Sequence, residues 1–163
     1  MRSPKIRSLI GLKRIIAAER RRGKRIVLAN GCFDLFHVGH VRYLRDSAAQ
    51  GDILVVALNS DASVRALKGP GRPLMPEEER AEILAAFEFV DYVTIFGRRD
   101  VAAILEALRP DIHSKGSDYT LETVPERETV KSLGGKNFIA GGPKVRSTSD
   151  IVKSIAARKD ADG

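Results

Sequence analysis

Cysteine is almost missing from this chain: 163 residues contain one, Cys32. A lone thiol excludes an intrachain disulfide framework and fits a reducing compartment. Long apolar runs are missing too, and none approaches the roughly 20 residues that a membrane-spanning helix needs. Near the N-terminus Lys13 and Arg14 interrupt any apolar stretch, so no signal peptide is expected. There is no Walker A sequence and no G-x-G-x-x-G after the first strand-like run, which disfavours P-loop NTPases and dinucleotide dehydrogenases. H-E-x-x-H is absent, which removes the zincins. Internal repeats and low-complexity segments are absent. Acidic charge is in deficit: 21 Asp and Glu against 28 Lys and Arg leave +7, which favours anionic ligands. What remains is ordinary globular composition, 30% charged and 43% hydrophobic, long enough to bury a core. The expectation is one domain over residues 1–163, soluble, cytoplasmic and not inserted in a membrane.

The chemistry concentrates in Asn30-Gly31-Cys32-Phe33-Asp34-Leu35-Phe36-His37-Val38-Gly39-His40. The apolar run Ile26-Val27-Leu28-Ala29 before it reads as a buried strand. Val41, Leu44, Arg45 and Ala48 after it follow a helical pattern. His37 and His40 therefore fall at a strand-to-helix turn, where free amides of a helix N-terminus attract phosphate. Gly31 and Gly39 remove side chains where the backbone turns tightly or approaches a ligand. Two histidines at this spacing can also cap a helix, fill a polar gap or bind zinc. Zinc wants a third and fourth ligand, and only His113 and Cys32 remain, so no metal set is expected.

Strand and helix patterns alternate along the chain. An amphipathic helix over about 8–22 presents Leu9, Leu12, Ile15 and Ile16 and ends at Gly23. The basic run Arg20 to Arg25 reads as a solvated helix end, because no aromatics interleave with it as in single-strand binders; no nucleic-acid partner is expected. Further strands are predicted at Asp52–Asn59, Val90–Phe96, Asp111–Ser114 and Asn137–Ala140. Helices are predicted after Ser60, from Pro76 at the first helical position, after the cap Asp100, over Glu126–Leu133, and from the Ser147-Thr148-Ser149-Asp150 cap through Ile155. Lys68-Gly69-Pro70-Gly71-Arg72-Pro73 is a loop. Such alternation implies a parallel sheet with right-handed crossovers: a Rossmann-like α/β domain, five parallel strands flanked by helices, its crevice at the strand C-termini.

G-x-F-D-x-x-H-x-G-H resembles the HxGH signature of the nucleotidyltransferase superfamily. The chain from Leu9 to Ile155 further resembles the heptose 1-phosphate adenylyltransferases, which often form one half of a bifunctional heptose kinase/adenylyltransferase. The carrying residues are the first motif with Asn59-Ser60-Asp61-Ala62-Ser63, Leu67-Lys68-Gly69, Arg72-Pro73, Glu79-Arg80, Val90-Asp91-Tyr92-Val93, Lys115-Gly116-Ser117-Asp118-Tyr119 and Ser147-Thr148-Ser149. It departs from that family at Ser117, where glycine is usual, and at Arg146, where a small or apolar residue is usual.

The resemblance implies transfer of AMP from ATP to D-glycero-D-manno-heptose 1-phosphate, giving ADP-heptose for lipopolysaccharide or surface-glycan precursors. It implies His37, His40 and Lys68 as catalytic. Asn30, Gly31, Cys32, Phe33, Asp34, Gly39, Arg72, Arg80, Ser147, Thr148 and Ser149 fall to the nucleotide, and Asn59, Asp61, Lys115, Gly116 and Asp118 to the sugar phosphate. Mg²⁺ is expected to ride on the triphosphate with few protein ligands. Asp34 orients a histidine, reaches Mg²⁺ through water or caps the turn. Lys115 is a phosphate ligand or a surface partner of Asp118. The loop from Lys68 to Arg72 is expected to behave as a hinged lid, and the protein to be a homo-oligomer, a dimer or higher. The rival readings are a cytidylyltransferase for glycerol 3-phosphate or a phospho-alcohol, a noncatalytic nucleotide- or nucleic-acid-binding module, and a class I synthetase fragment. The chain is short for tRNA handling and lacks K-M-S-K-S, which disfavours the last.

Overall fold

The apolar run at Ile26–Gly31 forms β1, the central strand of the sheet. The computed structural model describes residues 3–98 and 100–143, together with residues 151, 152, 154, 155 and 157. Leu9–Arg21 is α1; after β1 come α2 (Val38–Ala48), β2 (Ile53–Asn59), α3 (Asp61–Lys68) and α4 (Glu77–Ala86). β3 (Tyr92–Phe96), α5 (Ala102–Leu108), β4 (Ile112–Gly116), α6 (Arg127–Ser132) and β5 (Lys136–Ala140) follow. The strand order is β3-β2-β1-β4-β5, and every pair is parallel. The expected α/β sheet of five parallel strands is the one observed.

Alternate residues of β1 and β2 enter two cores, which is why these strands read as continuous apolar runs. Val27, Ala29, Leu54, Val56 and Leu58 pack with Leu44 of α2 and Ala81 and Leu84 of α4. Ile26, Leu28, Val55 and Ala57 pack on the other face with Leu12 and Ile16 of α1, Ile104, Leu105 and Leu108 of α5, and Val130 of α6. Each fully buried Leu or Ile contributes about 1.5–3 kcal/mol. Among the described residues no helix is long and apolar enough to cross a membrane.

Local signals set most boundaries. Ser8 caps α1 through a bond from the Gly11 amide, and Gly23 follows its end at φ +78°. Asp100, the expected cap of α5, lies one residue before the observed N-cap Val101 and accepts from the Ala102 amide. Pro76 is the N-cap of α4 rather than its first helical residue, because its ψ of 151° is extended. Glu126 likewise precedes α6 instead of opening it. β4 runs two residues past its predicted end: Lys115 and Gly116 pair with Ile139 and Ala140 of β5, an alignment that only the neighbouring strand supplies. Residues 151, 152, 154, 155 and 157 are helical as expected. The proposed cap at Ser147, Thr148 and Ser149, and Arg146, lie outside the described residues.

Three of the five cations in the basic run, Arg20, Arg22 and Lys24, make contacts within the chain. Arg20 donates to the Leu108 and Arg109 carbonyls and lies 3.8 Å from Asp111; Arg22 pairs with Glu19 and Lys24 with Asp52.

Candidate active site

β1 is the point where the chain reverses its path across the sheet: β2 and β3 lie on one side, β4 and β5 on the other. At such a switch point the connections leave in opposite directions and open a crevice at the strand C-termini. A cavity of about 540 Å³ occupies that place. Asn30 and Gly31 at the end of β1, Asn59 at the end of β2, and Lys115 and Gly116 at the end of β4 line it.

The two histidines are set by the start of α2. His37 is its N-cap, with extended backbone, and its Nδ1 accepts from the Gly39 amide at 3.2 Å. A neutral ring that accepts at Nδ1 carries its proton on Nε2. The imidazoles stack with centroids 3.9 Å apart. His40 lines the cavity, with Phe33 at 5.1 Å and Phe36 at 5.7 Å from its ring. Burial, then the neighbouring His37 and Lys68, push the His40 pKa down to about 4. Its Nδ1 is sealed from solvent without a hydrogen bond. At neutral pH His40 is therefore an uncharged ring that can donate one hydrogen bond but supplies no cation. Phe33 sits at φ +45°, and a Cβ on Gly31 would lie 3.1 Å from its ring, so a side chain there would crowd the phenylalanine.

Asp34 is buried, and both its oxygens are engaged: Oδ2 takes Arg72 at 2.8 Å and Oδ1 takes the Leu74 amide at 2.5 Å. It touches neither histidine in these bonds. Its partner is the Gly-Pro loop, whose Arg72 therefore has an acidic neighbour 38 residues away in sequence. The loop expected to behave as a hinged lid is held to Asp34 at Arg72 and Leu74. Lys68, at the end of α3, lines the cavity and is exposed.

Two expected ligand residues belong instead to the scaffold. Arg80 has 0% exposure and donates to the carbonyls of Met75, Cys32 and Asn59 and to the Asp61 carboxylate at 2.6 Å. A guanidinium spent on four acceptors has no face left for a nucleotide. It ties the ends of β1 and β2 together instead. Asp61, expected at the sugar phosphate, is that arginine's counter-ion, and its amide donates to Glu77. Neither residue lines the cavity; His37, Gly39 and Arg72 border it only through the neighbours just described.

Asn59 is buried, donates to Ser63 Oγ at 2.9 Å and lies 3.9 Å from the Cys32 thiol, whose pKa burial raises. Asn30 contacts His113 Nε2 at 3.0 Å, and Asn137 contacts Nδ1 at 3.2 Å. Burial, reinforced by Lys115, pushes His113 down to about 4. A neutral ring donates from one nitrogen only, so one of the two amides presents its NH₂ group to it. Sequence reasoning missed this pairing, because β1 and β4 become neighbours only in the sheet.

Lys115 is buried and pairs with Glu126, not with Asp118; the Nζ–Oε2 distance is 3.2 Å. Asp118, Tyr119 and Glu126 also line the cavity, as does Tyr43, whose hydroxyl donates to the Ser114 carbonyl. Glu126 was not anticipated; its sequence signal, a glutamate after Pro125, reads only as a helix start. Cys32, Phe33 and Asp34 complete the expected residues found in the cavity wall.

A reversing parallel sheet with a histidine-bearing helix N-terminus over its switch point defines the Rossmann-like α/β class of nucleotide-binding folds. The model of the cytidylyltransferase-like family matches residues 28–156, and the chain belongs to that family. It is 50% identical to the "Bifunctional protein HldE" of Syntrophotalea carbinolica over 154 residues, 94% of this chain and 31% of that protein. The protein of the same name from Geobacter sulfurreducens is 50% identical over 151 residues, 93% of this chain and 31% of the relative. The chain thus spans about a third of the length of these curated relatives. Among solved structures, the lipopolysaccharide core biosynthesis protein from Thermoplasma volcanium GSS1 matches with a TM-score of 0.59 and 29% identity, over 72% of this chain and 94% of that one.

Proposed function

We propose that the chain is an adenylyltransferase that moves AMP from ATP onto a heptose 1-phosphate, giving ADP-heptose and pyrophosphate for lipopolysaccharide or surface-glycan precursors. The observation that carries the reading is the stacked His37–His40 pair at the α2 N-terminus, beside a switch-point cavity large enough for small phosphorylated ligands. Similarity to the bifunctional HldE proteins and to a lipopolysaccharide core biosynthesis protein supports the sugar.

A phosphate oxygen of the sugar 1-phosphate attacks the α-phosphorus of ATP. The new P–O bond forms as the bond to the β-phosphate oxygen breaks, and pyrophosphate leaves. The second pKa of a phosphate ester is about 6, so the nucleophile is already ionised and needs no general base. The enzyme's task is to hold two polyanions in line and offset charge on the leaving group. In this reading His37 donates from Nε2 and the neutral His40 from one nitrogen to phosphate oxygens, while Lys68 and the α2 amides supply positive potential. Mg²⁺ enters as part of the nucleotide substrate, since this small hard ion keeps most of its ligands on phosphate and water. The lone, partly buried Cys32 supports a reducing, cytoplasmic setting.

The test is a mass-resolved product assay with ATP and CTP against heptose 1-phosphate, glycerol 3-phosphate and phosphoethanolamine. ADP-heptose is the expected product. A CTP-dependent product with either of the last two acceptors, and none with heptose 1-phosphate, would overturn the substrate assignment.

A further inference from the structure

Lys115 and Glu126 form a buried ion pair in the cavity wall, with side chains only 7% and 11% exposed. Nζ donates to Oε1 at 3.3 Å and lies 3.2 Å from Oε2. The second contact is close enough for an ion pair but not aligned for a hydrogen bond, so Oε2 is sealed without one. Nζ also sits 5.1 Å from the Tyr119 ring centre. The lysine comes from the end of β4 and the glutamate from the residue before α6, so tertiary structure alone brings them together.

A lysine alone at a strand end suits a phosphate. This lysine is compensated: a phosphate brought to Nζ also comes near the Glu126 carboxylate, whose repulsion offsets part of the attraction. Asp118 adds a second carboxylate to the cavity lining. The pair does suit hydroxyl groups. An ammonium has three N–H donors and a carboxylate about four acceptor sites, more than the pair spends on itself. A donor and an acceptor about 3.2 Å apart match neighbouring sugar hydroxyls, each of which both donates and accepts.

We propose that the Lys115–Glu126 pair binds adjacent hydroxyls of the sugar rather than its phosphate, and so selects a polyhydroxylated phosphate over a simple phospho-alcohol. The proposal rests on the sugar-phosphate reading above. It replaces the expectation of Lys115 as a phosphate ligand and leaves phosphate to the groups around His40 and Lys68.

The experiment is calorimetric titration of the full chain with heptose 1-phosphate and, separately, ethyl phosphate, which carries the phosphate but no hydroxyls. Wild type is expected to bind the sugar phosphate at least tenfold more tightly. Glu126→Ala should narrow that ratio to threefold or less by weakening the sugar phosphate alone, with ethyl phosphate held or tightened. Glu126→Gln, which keeps an acceptor oxygen, should fall between, and it carries the test should the alanine variant fail to fold by circular dichroism. Equal weakening of both ligands in either Glu126 variant overturns the proposal, as does a tenfold loss of ethyl phosphate binding in Lys115→Met. A wild type that does not discriminate overturns it as well. Formation of ADP-heptose by wild type reports on the proposed reaction and the ratio of affinities on the pair, so either can fail while the other stands.

Discussion

Asp34 and Arg72 form a 2.8 Å ion pair across 38 residues of sequence, with the carboxylate fully buried and the guanidinium about one-fifth exposed. The pair joins the motif that follows β1 to the Gly-Pro loop that follows α3, and the Leu74 amide doubles the attachment. A loop rich in glycine and proline is thereby held to the motif that follows β1.

Breaking that attachment should loosen the loop without dismantling the sheet. Asp34→Ala strands a guanidinium and an amide, and such losses cost about 3 kcal/mol. For a chain of this size that lowers Tm by roughly 6–12 °C. Limited proteolysis should show faster cleavage between residues 69 and 75 in the variant, and slower cleavage in wild type when ATP and Mg²⁺ are added. Indistinguishable cleavage of the two proteins would count against the anchor.

Loss of either imidazole should cost catalysis rather than folding. His37→Ala and His40→Ala are each expected to lower turnover by about 100-fold or more, the usual scale for a lost transition-state donor. Pyrophosphate release measures it. Near-wild-type rates in both variants would remove the histidines from the mechanism.

Arg80 should behave in the opposite way. Arg80→Met leaves Asp61 and three carbonyls without their donor, a loss on the order of 3–5 kcal/mol. Denaturant unfolding should show it, while the folded fraction binds ATP with an affinity within a few-fold of wild type. Full stability with weakened ATP binding would return Arg80 to the nucleotide site.

Acid should destabilise the protein through His113, which is buried, and His40, which is half-buried. His40 and His113 both have pKa values lowered from 6.5 to about 4, so between those values the unfolded chain binds more protons than the folded one. Stability then rises with pH across that window. It is complete above about 6.5 and falls as pH drops through 4. At about 1.4 kcal/mol per unit, each group accounts for roughly 3 kcal/mol at most. Melting temperatures measured from pH 8 to 4 should hold steady and then decline below 6.5. His113→Gln should flatten part of that decline, and an unchanged slope would speak against the buried neutral ring.

Local signals in the sequence determined the elements and the place of the chemistry. Ser8, Asp100 and Gly23 mark helix ends through bonds made within a few residues, and doubly apolar strands announce a sheet covered on both faces. The histidines were legible because a strand, a turn and a helix start are all local events. Tertiary structure alone decided what each polar group does on arrival. Arg80 and Arg72 look alike as cations expected at the nucleotide, but Arg80 is sealed under the strand ends and Arg72 is paired with a carboxylate 38 residues away. His113 meets Asn30 because β1 and β4 lie side by side, and Lys115 meets Glu126 because the end of β4 and the start of α6 come together at the cavity. Burial and charge compensation depend on neighbours distant in sequence, which composition and periodicity do not carry.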